Sequence, residues 1–397
     1  MRKIPFILIV LSTLIGTAFQ PLPQSSVTFI GSTHQYEFGK QILFFTTIQA
    51  AREIQSVDLF IRPSGESTRV LAISPGANGR ISEAYDLTQH PLRPFSQVDY
   101  WYRVALIDGS DISSSVSSFF YEDNRFDWKR LEENGFEAAW QEGDSNFGQA
   151  ILNVSQTGWA NVQMYLQANL PKPLRVYVYA SATDLQSALQ LTNTPWVAGH
   201  ASPDLGVVLV SIPSGPDQRA ELERQIPHEL MHVVEYQEAG LAYSRLPLWL
   251  VEGLASIAEL YPNQDYERVM QSAVSGDRLV ALVNLCSEFP RDLSGAFLAY
   301  AESASFVRFL YQNFGRSGLN SLITQYKDGY GCEEGIRSAF TETLGQLETR
   351  WKQEYLGLNM GAVVWKNLLP YLLLVLVIVL PVSVSLIPFK RRKELKP

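Results

Sequence analysis

The stretch Pro227-His228-Glu229-Leu230-Met231-His232, followed by Trp249-Leu250-Val251-Glu252-Gly253-Leu254-Ala255, decides how this chain folds. The first segment fits H-E-x-x-H on a helix. At 3.6 residues per turn, positions i and i+4 share one helix face, so both imidazoles can reach a single ion. Glu229 follows the first imidazole directly and can contact a water at that ion rather than the ion itself. Zinc suits two imidazoles plus a carboxylate with a fourth position left open. Pro227 either opens this helix in its first turn or kinks a longer one.

The third ligand has to come from outside the motif. A continuation x-x-G-x-x-H is excluded, because Glu235 and Glu238 occupy its Gly and His positions. Glu252 lies 20 residues after His232, on a second apolar, helix-forming segment. That spacing lets the first helix finish, a loop turn through Gly240 and Pro247, and a second helix bring Glu252 back to the ion.

At these two motifs the sequence resembles the gluzincin zinc metallopeptidases, particularly the peptidase MA-like family, over about residues 125–358. The resemblance implies an α/β, thermolysin-like catalytic domain with Zn²⁺ as cofactor. It implies His228, His232 and Glu252 as zinc ligands, with Glu229 as general base and then acid. The activity implied is hydrolysis of peptide bonds in a peptide or protein by a zinc-activated water. Gluzincins also supply a donor to the developing oxyanion, commonly a Tyr or His far downstream. Tyr300, in Phe297-Leu298-Ala299-Tyr300-Ala301-Glu302-Ser303, is the preferred candidate for that role, with plain core packing as the other reading. His200 is a weaker candidate.

The chain departs from the family pattern in two places. Val251 stands where many members carry Asn, and Ser256 where thermolysin-like members carry an Asp that supports a ligand imidazole. Glu235 and Glu259 are candidates for that support, and read equally well as solvated helix charges. A second functional reading is a non-enzymatic surface binding or assembly module on a degenerate peptidase fold. The intact His228, Glu229, His232 and Glu252 set argues against it, since a degenerate site has no chemical need to keep all four.

Outward from the motifs, residues 124–358 read as mixed α/β. The pattern predicts a helix over Asn146–Leu170, a strand over Leu174–Tyr179 and a helix over Leu185–Leu191. The near-continuous apolar run Gly206–Ile212 predicts an interior strand, and mostly helix follows from Asp217. Residues 25–123 have the texture of a small antiparallel β-sandwich. Strand-like runs such as Val57–Arg62 and Tyr100–Leu106 are separated by turn signals such as Pro63-Ser64-Gly65 and Asp108-Gly109-Ser110. In that texture the region resembles a fibronectin type III domain. A spacer role is favoured there over a dedicated binding module, and its aromatic residues read as core.

The two ends suggest membrane targeting. Met1-Arg2-Lys3 precedes an apolar run to Phe19, too short for a comfortable span, so residues 1–18 are expected to be a signal peptide. Leu368 to Phe389 is free of charge over 22 positions, roughly 33 Å of helix, and Lys390-Arg391-Arg392-Lys393 follows. The expectation is a transmembrane helix over residues 367–389 with a cytosolic basic tail over 390–397. The protein would then be a single-pass cell-membrane protein with its catalytic domain on the extracytoplasmic side.

The chain has 397 residues and a formal net charge of −8. The terminal basic residues contribute +6, which leaves the body at −14 and argues against nucleic acid as a partner. Two cysteines, Cys286 and Cys332, exclude a four-cysteine zinc site. They can pair in one disulfide or remain two buried thiols, and the sequence does not choose.

Overall fold

The computed structural model describes residues 27–189, 199–358 and 368–377. The chain divides into two compact units, with the boundary between Arg125 and Phe126.

Among its described residues the first unit is built from eight strands: β1 (Val27–Glu37), β2 (Gln41–Ala50), β3 (Ile54–Pro63), β4 (Arg69–Ile73), β5 (Arg80–Asp86), β6 (Ser96–Leu106), β7 (Asp111–Ser113) and β8 (Ser117–Tyr121). One sheet has the order β1-β2-β5; the other has β4-β3-β6-β7, with β8 also paired to β6, and every pairing is antiparallel. Because β4 joins β3 and not the first sheet, the arrangement differs from an antibody constant domain. Period-two alternation creates the core: Ile42, Phe44, Thr46 and Ile48 point inward from β2, as do Val98, Tyr100, Tyr102 and Val104 from β6. Phe44 meets Tyr100 across the two sheets at 4.9 Å between ring centroids. On the outer face Phe60 stacks on Trp101, and Arg103 and Arg62 lie over those two rings.

The second unit holds a five-stranded sheet of order β12-β13-β11-β10-β9, from β9 (Lys129–Glu133), β10 (Phe136–Trp140), β11 (Leu174–Tyr179), β12 (Gly199–Ser202) and β13 (Val207–Ser211). Strands β10, β11 and β13 run parallel, while β9 and β12 are antiparallel edges. All five residues of β13 are buried, as a strand covered on both faces requires. Val176, Val178, Val208 and Val210 belong to the large core shared with the helices. Tyr177 and Tyr179 alternate with Val176 and Val178 and meet the Trp128 ring at 5.1 Å.

Among the described residues the helices packed in this unit are α1 (Ser145–Tyr165), α2 (Ala182–Leu189), α3 (Gln218–Ala239), α4 (Leu248–Ile257), α5 (Gln264–Ser275), α6 (Leu293–Lys327), α7 (Cys332–Phe340) and α8 (Leu344–Arg350). Two glycines mark close helix crossings. A Cβ on Gly158 would stand 2.9 Å from the Pro227 ring, so α1 passes α3 there. A Cβ on Gly253 would stand 2.6 Å from the Ser303 carbonyl oxygen, which is why α4 can lie directly on α6 only with glycine at that position. Cys286 and Cys332 form a disulfide.

The expectation of a single-pass membrane protein is corrected. Among the described residues no helix is long and apolar enough to cross a membrane. Residues 368–377 are helical, but ten residues span only about 15 Å, half of a hydrocarbon core. The rest of the expected span, the basic tail and the expected signal peptide lie outside the described residues. The extracytoplasmic placement of the catalytic domain rested on the two ends together, and without that span a single-pass placement is not supported.

Candidate metal centre

Helix α3 carries the H-E-x-x-H segment and is longer than its motif, so Pro227 sits inside it rather than at its start. Proline has no N–H, and the carbonyl four residues back, that of Glu223, therefore lacks its helical donor. The Leu260 N–H donates to that oxygen at 2.9 Å and the Tyr261 N–H at 3.3 Å. The gap in the α3 ladder thus ties down the chain just after Glu259. The helix stops at Gly240, whose φ of 60° with ψ of −135° is open essentially to glycine alone.

Helix α4 is anchored at its first turn. The Leu248 N–H donates to the Cys286 carbonyl at 2.9 Å, and Trp249 Nε1 donates to Cys332 Sγ at 3.4 Å. Both ends of the disulfide thereby reach the turn that precedes Glu252. Trp249 is fully buried and packs edge-on against Phe306 of α6.

These supports bring His228, His232 and Glu252 together, with one donor atom from each within 4.8 Å of the others. His228 Nε2 stands 3.5 Å from Glu252 Oε2. Two donors about 2.0–2.1 Å from one tetrahedrally held ion would be roughly 3.4 Å apart, so the pair is spaced as co-ligands. The other nitrogens face carboxylates: His228 Nδ1 meets Glu259 Oε1 at 3.3 Å, and His232 Nδ1 meets Glu235 Oε2 at 2.9 Å. This leaves Nε2 of each ring for the ion and fixes the ring planes. Glu235 and Glu259 are buried, not solvated helix charges. The imidazole partner that Ser256 lacks is supplied by Glu259, seven residues after Glu252.

The electrostatics favour a cation. Burial would lower the His228 pKa, but the Glu252 and Glu259 carboxylates raise it well above its ordinary value. Burial likewise opposes the charge of His232, and Glu235 outweighs it. Burial pushes Glu235 up to about 7, against the pull of His232. Glu252 would be raised by burial, yet bonding to His228 and the charges of both imidazoles hold it below its usual value. Four carboxylates around two imidazoles is an excess of negative charge that a divalent ion would balance, so the donor set fits a metal.

Glu229 lies on α3 between the two imidazoles, and burial raises its pKa while His232 and His228 pull it down. Gly199 of β12 passes so close that a Cβ there would stand 2.4 Å from Glu229 Oε1. Tyr300 of α6 lines the same cavity as His228 and Glu229, a space of about 360 Å³. Burial raises its hydroxyl pKa far above the ordinary value, and it bonds to the Glu252 carboxylate. It also packs edge-on against Phe289 at 5.1 Å, so it is at once a packing residue and a cavity residue. His200 lies on the exposed side of edge strand β12. Arg224, Tyr266 and Phe297 line the cavity without having been marked in the sequence. Arg224 and Phe297 stand at helical spacing from His228 and Tyr300, and that spacing was the available signal.

The model of the family described as the Peptidase MA superfamily matches residues 154–357, just over half of the chain. The chain belongs to the Peptidase MA superfamily. Its two ligand-bearing helices and the strands β11–β13 all fall within the matched residues. No curated protein matches the chain. Among solved structures, an M1 zinc metallopeptidase from Deinococcus radiodurans is similar at 13% identity over 84% of this chain and 95% of that one, with a TM-score of 0.32. OgpA from Akkermansia muciniphila is similar at 15% identity and a TM-score of 0.21, over 24% of this chain and 27% of its own. A carbohydrate-binding module family 56 β-1,3-glucan binding domain is similar at 10% identity and a TM-score of 0.17, over 23% of this chain and 98% of its own.

Proposed function

We propose that the chain is a zinc metallopeptidase in which His228, His232 and Glu252 hold the ion and Glu229 acts as general base and then general acid. The observation that carries this reading is the convergence of those three donors within 4.8 Å beside a buried Glu229. A zinc ion held there supplies Lewis acidity, polarising a scissile carbonyl and making a water acidic enough to lose its proton near neutral pH.

The protein's own groups do the rest. The Glu229 carboxylate takes the proton of the attacking water and passes it to the leaving amine. Its raised pKa helps it hold that proton between the two transfers. Tyr300 donates its hydroxyl to the oxyanion as the carbonyl carbon becomes tetrahedral, moving off Glu252 to do so. Glu235 and Glu259 keep the imidazole rings aimed and their charge balanced. β12 is the edge of the sheet nearest Glu229, and its backbone can accept an extended peptide alongside it. Peptides or proteins are the substrate class.

The test is Glu229→Gln. It should keep its zinc and lose hydrolysis of a peptide library by about 10²–10⁴-fold, the usual worth of a general base. Turnover at the wild-type rate by a zinc-loaded Glu229→Gln would remove Glu229 from the chemistry.

A further inference from the structure

The cavity beside the ligands holds a cationic group, Arg224, that water activation does not use, along with the Glu221 carboxylate. Arg224 lies four residues before His228 on α3, hence on the same helix face. Among the described residues lining the cavity it is the sole Lys or Arg. Of its five N–H donors one is engaged: Nη1 donates to Glu221 Oε1 at 3.1 Å. Nε is shut off from water and has no partner. Glu221 is held independently, since Gln225 Nε2 donates to its other oxygen at 2.9 Å. Nη2, outside the Arg224–Glu221 pair, is the donor the guanidinium can offer the cavity, while Glu221 orients the opposite side. A guanidinium N–H beside the metal centre suits a carboxylate oxygen, with a charge-assisted hydrogen bond.

Part of the lining is apolar. Leu293, Ala296 and Phe297 of α6 line the cavity at i, i+3 and i+4, and Leu293 is 70% exposed at its rim. A cation in a cavity with a partly apolar lining suits a group with a short hydrocarbon stem and an anionic end. Four residues of helix rise put Arg224 roughly 6 Å along α3 from His228, which is the reach of a residue bordering the scissile bond.

We propose that Arg224 is a specificity-determining residue that binds a substrate carboxylate in the cavity next to the metal centre. Two sources offer this chemistry: an Asp or Glu side chain beside the cleaved bond, or the free C-terminus of a short peptide. The proposal rests on the peptidase reading for the identity of the ligand as a peptide.

The experiment uses the full zinc-loaded chain and paired peptides: Glu against Gln at each position around the bond, and free acid against C-terminal amide. Wild-type kcat/KM should favour the carboxylate member of one pair by at least tenfold, mostly through KM. The pair that responds names the source. In Arg224→Gln that ratio should collapse toward one, and Arg224→Lys should keep part of it. A parallel arm measures binding of the same pairs to Glu229→Gln by calorimetry, so the subsite is read without turnover. Equal kcat/KM for both members of every pair in the wild type would overturn the proposal without needing a variant. So would a preference for basic residues, or a ratio that survives Arg224→Gln. If no peptide is cleaved but Glu229→Gln still binds carboxylate members more tightly, the peptidase reading fails and the subsite stands. Cleavage with no carboxylate dependence does the reverse.

Discussion

The two imidazoles of the metal centre are supported in different ways. His232 receives Glu235 from its own helix, three residues on, at 2.9 Å. Helix geometry alone sets that pair, and no other part of the chain has to arrive. His228 receives Glu259 from 31 residues away, at 3.3 Å. That contact holds only because the chain after α4 is tied to the Glu223 carbonyl, which Pro227 leaves without its helical donor. One support is written in local periodicity; the other is a tertiary construction in which a helix defect becomes an attachment point.

The largest effects that test this comparison come from the carboxylates themselves. Glu235→Gln and Glu259→Gln should each weaken zinc binding by about 10–100-fold, the usual worth of an outer-shell carboxylate. Competition with a chromophoric chelator reads this directly. Unchanged affinity in either variant would return that residue to a structural role.

A smaller effect separates the two supports. Pro227→Ala restores an N–H that competes for the Glu223 carbonyl, so it should loosen Glu259 and weaken zinc several-fold. Combined with Glu259→Gln it should add little, whereas combined with Glu235→Gln it should add in full. Equal additivity in both double variants would break the link between Pro227 and Glu259. Thermal melting of the metal-free proteins controls for a general loss of stability.

The same contrast explains what the sequence made legible. His228, Glu229 and His232 follow from one helical period, and Glu252 from the distance that a helix, a loop and a second helix need. Glu235 was visible as a helix neighbour, but whether it was buried depends on packing that periodicity does not encode. Glu259 was harder, because α4 ends at Ile257 and the helical register ends with it. Pro227 allowed a start or a kink, and the choice depended on where α3 begins. The glycine after Glu252 was legible as a motif letter, and its reason, the close pass of α6, lies about 50 residues away. Arg224 was legible by spacing but had no motif to single it out. The C-terminal span is not borne out: a charge-free run fixes composition, not the length of a helix, and among the described residues no helix is long and apolar enough to cross a membrane.

The central claim is that His228, His232 and Glu252 form one zinc site. Elemental analysis of the purified full chain tests it most directly. The account predicts one zinc per chain in the wild type and in Glu229→Gln, and loss of that zinc in His228→Ala with the fold retained by circular dichroism. A folded wild-type chain that neither carries zinc nor takes it up, or a His228→Ala variant that still holds one zinc per chain, would contradict it.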